Sequence, residues 1–411
     1  MLRRHPESAR PEARLSRIPP VTDHEDEYPG SDDSRVGRLV RELPRHPGPR
    51  EVRRGLPFGP ALAGHLIPHS RPTLTEQDAQ RVAAVVRAGH VAQGAQVAAF
   101  EREVAARLHA EAAAAVSSGS AALELALRAL GVGAGDEVVI PTYVCDALYH
   151  AVTRVGAVPA LADACPETLS VESQEVKRRL SRRTRCVIVP HAFGLAAGLA
   201  SFDGLGIPIV EDCAQAIGAT DDGRPAGSRG RLAVLSFYAT KMFTTGEGGM
   251  VTGPVELIDR VRDLRDYDER EDLAPRFNYK MTDLHAALGR SQLERLDSFI
   301  ARRREIAARF RSRLAGRPRG LPPDARGGRH VYLRFIVDAA RPVGPVIDAL
   351  AARGVTARRP VFRPIHRALG RAGYETADRL WAERLSLPCY PGLTDAEVDA
   401  VAAALCEALG A

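Results

Sequence analysis

The stretch AAAAVSSGSAALELALRALGVGAGDEVVI (112–140) decides the fold class. It opens with a short apolar run, 112–116, that reads as a buried strand. Small residues follow, then a helical stretch over 119–130, then a second apolar run at 137–140. The alternation continues outward through VPALAD (158–163), CVIVP (186–190), IPIVED (207–212) and LAVLSF (232–237), with helical stretches at 144–155 and 171–181. Strands alternating with helices predict an α/β fold with a mostly parallel sheet covered on both faces. In such open sheets ligands gather at the carboxyl ends of the strands. The residues that close these runs are therefore the candidates for chemistry.

Upstream, Thr75 and Asp78 have the spacing of a capping box before Val82, Val85 and Val86, with Gly89 as a stop signal, and a second helix is expected over 95–109. Residues 1–66 are rich in Arg, Pro, Asp and Glu; they bury too little apolar surface to offset their ordering entropy and read as a disordered extension with a short helix near Val36–Leu43. Downstream, 281–314 reads as one long or kinked Arg-rich helix. Residues 321–411 read as a smaller C-terminal α/β domain, with strands at 331–337 and 354–358 and helices at 343–352 and 395–409. The expected division is thus 1–66, a large domain over 67–320, and 321–411.

A chain of 411 residues, 45% hydrophobic and 26% charged, has the composition of a globular protein with more than one domain. The net charge of +6 forms no basic stripe interleaved with aromatics, so no nucleic-acid partner is expected. The six cysteines include no C-x-x-C pair, which argues against a zinc site or a disulfide scaffold and fits a reducing cytoplasm. No apolar run approaches the roughly 20 residues of a membrane span, and the paired arginines at the start have no apolar segment behind them.

Lysine is nearly absent. Of 57 Lys and Arg residues, only Lys177, Lys241 and Lys280 are lysines, so a generic basic position here would be Arg. Lys241 lies in SFYATKMFTTGEGGMV (236–251), between an apolar run and a Thr/Gly-rich turn. Lysine, unlike arginine, can lose its proton on burial and form an imine. Two other strand ends complement it. In VSSGSAAL (116–123) a strand runs straight into a helix start whose free N–H groups favour a phosphate, with Gly119 permitting close approach and Ser118 and Ser120 adding hydroxyls. The same residues would also serve as an ordinary helix cap. In IPIVEDCAQAIGA (207–219), Glu211 and Asp212 point to opposite faces by period-two alternation, so one of them faces a ligand. A carboxylate buried there needs a cationic partner or a metal, and no ligand cluster suits a metal. Ser236, five positions before Lys241, offers a further phosphate donor. A phosphate cradle, a counter-ion for a protonated ring nitrogen and an imine-forming amine are together the demands of pyridoxal 5'-phosphate (PLP).

The run from about Ile67 onward resembles the DegT/DnrJ/EryC1/StrS sugar aminotransferases, fold-type I PLP enzymes. The resemblance is carried by IPHSRPTL (67–74), VSSGSAAL, GAGDEVVIPTY (133–143), VEDCAQAIGA (210–219), SFYATKMFTTGEGG (236–249), FNYKMTDLHAALG (277–289) and LSLPCYPGLTDAEVD (385–399). It implies that Lys241 holds PLP and then moves protons, that Asp212 pairs with the ring nitrogen, and that Gln215 contacts the ring oxygen. It further implies that Gly119, Ser120 and Ser236 bind the phosphate, and that Asn278 reaches the phosphate of a neighbouring subunit in a homodimer with shared active sites. His366, in RPIH, falls where such enzymes place a substrate-side residue.

Two departures stand out. Where many members stack an aromatic on the ring, this chain has Cys145, so that either Cys145 packs there or Tyr143 does so from another direction. The usual Gly-Tyr-Asn-Tyr-Arg is Arg276-Phe277-Asn278-Tyr279-Lys280. The expected activity is transfer of an amino group, from glutamate, to a keto group of a nucleotide-activated sugar. A cyclitol ketone as acceptor and a non-catalytic PLP-binding regulator are the alternatives; a dehydratase of the same family would carry His at the lysine position.

Overall fold

The computed structural model describes residues 66–316, 320–322 and 327–410. The extension expected over 1–66 therefore lies, save Leu66, outside the described residues. Seven strands form the main sheet: β1 Ala112–Val116, β2 Glu137–Pro141, β3 Val158–Ala162, β4 Thr184–Pro190, β5 Ile209–Asp212, β6 Leu232–Ser236 and β7 Gly249–Gly253. Their order is β1-β7-β6-β5-β4-β2-β3. Only β7 runs against the rest, pairing antiparallel with both β1 and β6. All six other strands consequently release their carboxyl ends along one edge, and each of the proposed site segments leaves from it.

Helices α1 (Glu76–Ala88) and α2 (Ala95–Leu108) precede the sheet; α3 (Gly119–Ala129), α4 (Ala147–Arg154), α5 (Ser173–Arg179) and α6 (Val255–Leu264) join or follow its strands. The capping box at Thr75 and Asp78 is formed, with Gly89 left-handed at the other end of α1. Helix α3 is apolar on nearly every face because it is covered on all sides: Leu123, Leu125 and Leu127 are all buried. Past their first residues, β2 (138–141) and β4 (186–190) are likewise apolar and buried, as a sheet covered on both faces requires.

Strand β7 was not anticipated. Its sequence, GMVTG, reads as the tail of a Gly-rich turn, yet it fills the gap between β1 and β6. Gly249 is required there, since an added Cβ would overlap the Ser118 carbonyl at the start of α3. The long helix expected over 281–314 is two helices, α7 (Asp283–Glu294) and α8 (Leu296–Arg313), meeting at Arg295.

A second core follows. Strands β8 (Phe335–Asp338) and β9 (Arg384–Leu387) pair antiparallel, and helices α9 (Val343–Ala352), α10 (Ile365–Ala368), α11 (Glu375–Glu383) and α12 (Asp395–Ala408) complete the C-terminal part. Its apolar cluster includes Phe335, Val337, Leu350, Leu385 and Leu405, and reaches back to Ile306, Phe310 and Ile67. It thus draws on residues on both sides of the 320/321 division. Ile67 is tied in by its N–H to Gly354 O at 2.9 Å and by accepting from Thr356 N at 3.0 Å. The strand expected at 354–358 is reduced to isolated bridges at Val355 and Arg358.

Candidate active site

The loop from β6 to β7 carries Lys241, and its backbone is closed by hydrogen bonds. Phe237 N donates to Gly248 O at 2.8 Å, Thr245 N to Phe237 O at 2.9 Å, and Lys241 N to Tyr238 O at 2.9 Å. Phe237, Met242 and Phe243 anchor the loop in the core, the two rings stacked at 5.0 Å. Flanked by buried anchors, Lys241 has little freedom. Burial pushes its ammonium below the usual lysine range, Arg334 adds to this, and Cys145 and Asp212 oppose it. A lysine so placed can be a neutral amine.

Asp212 closes β5 and is buried. Its Oδ1 accepts from Ala214 N at 3.0 Å. Burial drives its carboxyl upward, against the pull of that N–H and of Lys241. An acid in this state would be restored to its charged form by a cation beside it. Glu211 has the opposite fate. It accepts from the N–H groups of Gly227, Arg229 and Gly230 at 2.6, 2.6 and 2.5 Å and from His191 Nε2 at 2.8 Å. Burial alone would raise its carboxyl, but these donors hold it below the usual range. His191 Nδ1 accepts from Ala197 N at 3.0 Å, which fixes the proton on Nε2. The alternation read from the sequence is therefore realised: Glu211 faces the 227–230 loop and Asp212 the lysine. Although His191, Glu211 and Cys213 cluster closely enough to hold an ion, both ring nitrogens and the carboxylate are already engaged by protein groups.

Gly119 opens α3 directly beside Ser236. An added Cβ would stand 2.7 Å from Ser236 Cβ, so only glycine lets strand end and helix start approach this far. Ser118 caps the helix, its Oγ accepting from Ala121 N at 3.1 Å. The N–H groups of Gly119 and Ser120 lie in the first turn, where a helix has no acceptor of its own to offer; Ser120 is exposed. Donors, a hydroxyl and the positive end of a helix thus converge at the carboxyl edge, an arrangement that fits a phosphate.

Cys145 and Gln215 line one cavity of about 180 Å³ together with Tyr143, Phe193 and Arg363. Cys145 keeps a solvent-facing surface although protein surrounds it on most sides, as in the wall of a cleft. Burial raises its thiol, with Asp212 adding to this and Lys241 opposing it, which ties the three groups together electrostatically. Tyr143 is buried in the main core with its hydroxyl 3.5 Å from Leu380 O. Gln215 Oε1 accepts from Phe193 N at 2.9 Å, and the sharp turn at Phe193 and Gly194 permits this with φ of 56° and 102°. His366 is fully occupied: Nδ1 meets Thr142 Oγ1 at 2.8 Å and Nε2 meets Asp378 Oδ1 at 3.1 Å. It braces α10 and α11 against β2. Asn278 is exposed, and its neighbour Tyr279 accepts from Ser117 N at 2.7 Å, seating this segment at the end of β1.

Sequence reading did not single out Arg334. It is buried at its Nη1, which has no hydrogen-bond partner among the described residues. Burial and Arg303 push it down to about 10. It sits 93 positions beyond Lys241, between apolar residues that read as strand, and nothing local marks it.

A family model described as the DegT/DnrJ/EryC1/StrS aminotransferase family matches residues 72–406. A GDP-perosamine synthase from Vibrio cholerae is 33% identical over 355 residues, covering 81% of this chain and 96% of that protein. The crystal structure of an aminotransferase, TlmJ, from Streptoalloteichus hindustanus superposes with a TM-score of 0.80 at 32% identity, covering 84% and 99% of the two chains. The PLP form of a putative sugar aminotransferase, Spr1654, from Streptococcus pneumoniae gives 0.79 at 26% identity over 84% and 99%.

Proposed function

This chain belongs to the DegT/DnrJ/EryC1/StrS aminotransferase family and is a PLP-dependent aminotransferase of fold-type I, and on that premise we propose that it transfers an amino group from glutamate to a keto group of a nucleotide-activated sugar. The observation that carries this reading is the convergence of Lys241, Asp212 and Cys145 at the carboxyl edge of the sheet. The GDP-perosamine synthase relative, by its name, supports a nucleotide-linked sugar as acceptor.

Bound PLP supplies an electron sink that makes the proton on the nitrogen-bearing carbon removable. The residues of this chain would divide the remaining work. Lys241, held by its loop and with its ammonium pushed below the usual lysine range by burial, is the attachment point and the base that carries the proton. Asp212 supplies the buried negative charge that keeps a ring nitrogen protonated. Gly119, Ser120 and Ser236 hold the phosphate at the start of α3. Gln215, fixed through Phe193, addresses the ring oxygen. Cys145 forms the wall where relatives place an aromatic ring; its thiol is smaller and offers less stacking area. Asn278, exposed at the end of β1, serves the phosphate of a second subunit, so the active unit is a homodimer. The six free thiols support a reducing, cytoplasmic setting.

The test is turnover with glutamate and a panel of nucleotide-linked ketohexoses, with an inosose as the competing cyclitol ketone. The reading expects 2-oxoglutarate to form in step with amination of a nucleotide-linked sugar. A tenfold preference in kcat/KM for the cyclitol would overturn it.

A further inference from the structure

Behind the lysine loop lies a buried charge that no carboxylate among the described residues offsets. Arg303, on α8, is only 3% exposed. Its Nη1 donates to three carbonyls, Leu333 O at 3.3 Å, Tyr332 O at 3.4 Å and Cys389 O. Carbonyls are neutral dipoles, so the net charge stays uncompensated, which is costly away from water. Burial holds the guanidinium below the usual arginine range, and only Cys389 opposes this. The Nε of the same group has no partner among the described residues. Thr73 Oγ1 is buried and unpartnered in the same way.

Both residues line one small cavity of about 10 Å³, which Arg71 and Lys241 also wall. Three of its lining residues are therefore cationic, and none is a carboxylate. The point that a Cβ on Gly392 would occupy lies 3.8 Å from Arg71 Nη2 and 4.0 Å from Thr73 Oγ1, so a second guanidinium reaches this corner. A space of this size admits one water-sized particle. That excludes a phosphate, an amino acid or any part of a sugar. A water would satisfy the two polar atoms but leave the charge as it is. A monatomic anion satisfies both, and an N–H makes its stronger bond to a charged partner.

We propose that this cavity binds a chloride ion, held by Arg303 Nε and Thr73 Oγ1 in the field of Arg71. The ion stands at the wall that carries Lys241 and acts on its nitrogen. Lys241 is faced by Asp212 at the end of β5, Cys145 beyond β2 and Arg334 before β8, with Arg71 and Arg303 on the cavity. A negative charge added to that set favours the protonated nitrogen.

The test is a bromide soak of holoenzyme crystals read by anomalous scattering, with two solution measurements in chloride and in gluconate at equal ionic strength. These are the urea midpoint and the pH at which the cofactor band changes, which reports the proton on the Lys241 nitrogen. Bromide should appear between Arg303 and Thr73. Chloride should raise the urea midpoint saturably, by mass action on the folded state, and move the colour change up by about half a pH unit. Thr73→Val, which leaves the bonds of Arg303 to its carbonyls in place, should weaken chloride at least about threefold. Arg303→Gln should remove both effects; if that variant does not fold, Thr73→Val decides. Density for a water with no anomalous signal, equal midpoints in the two salts, or a chloride effect undiminished in Thr73→Val would overturn the assignment. A bromide peak with no saturable effect in solution would mark an adventitious ion only and overturn it as well. None of these readings depends on which ketone is aminated.

Discussion

Lys241 and Asp212 are pushed by burial toward neutrality from opposite sides, the amine down and the acid up. In the sequence, the scarcity of lysine singled out Lys241, alternation along β5 set Glu211 and Asp212 on opposite faces, and the resemblance named Asp212 of the two. The physical reason for that difference was not legible there: it lies in the four donors around Glu211, which come from the 227–230 loop and His191. Two other residues make a prediction of their own. Burial holds His69 and His330 each to about 3, against 6.5 for the free side chain. Between those values the unfolded chain binds protons that the folded one refuses, so stability is full above about 6.5 and falls as the pH drops. The carboxylates with depressed values act in the same sense but at lower pH. Urea denaturation midpoints should therefore decline from pH 7 to pH 5, and His330→Gln should flatten part of that decline. A midpoint independent of pH over this window would contradict it.

Among the elements, strands β1 to β6 were readable as apolar runs, and α1 as a capped periodic helix. Strand β7 was not, because its glycines serve close approach, Gly249 to Ser118 and Gly253 to Leu232, rather than strand propensity. The break at Arg295 was hidden for a different reason: α7 and α8 both carry helical periodicity, and no proline or glycine marks the junction. The end of β5 is joined to the 227–230 loop by a single carboxylate. Glu211→Ala would leave three backbone N–H groups and His191 without their acceptor. Loss of about 3 kcal/mol in urea unfolding is expected, since breaking a buried charged network leaves its partners unsatisfied. A loss below about 1 kcal/mol would show that the loop finds other acceptors.

Across the whole molecule, the succession of a parallel sheet and a smaller C-terminal part follows from the order of apolar runs. The sharing of Ile67 and α8 with the second core does not, because Ile67 packs there against residues far downstream and α8 precedes the expected boundary. The same holds for a cleft that brings His69 together with Arg334, Arg358 and Arg363, residues far apart in the chain. Assembly belongs to this scale as well. If Asn278 completes a phosphate site in a second subunit, Asn278→Ala should weaken PLP affinity at least about tenfold while the protein stays dimeric by light scattering; unchanged affinity would separate this residue from the cofactor. All of these assignments depend on Lys241 being the amine that takes up PLP. The visible absorbance of the purified holoenzyme tests that claim most directly: glutamate should bleach the cofactor band of the wild-type protein, and Lys241→Ala should abolish the conversion. A band that no amino donor shifts, or a Lys241→Ala protein that bleaches as the wild type does, would contradict the account.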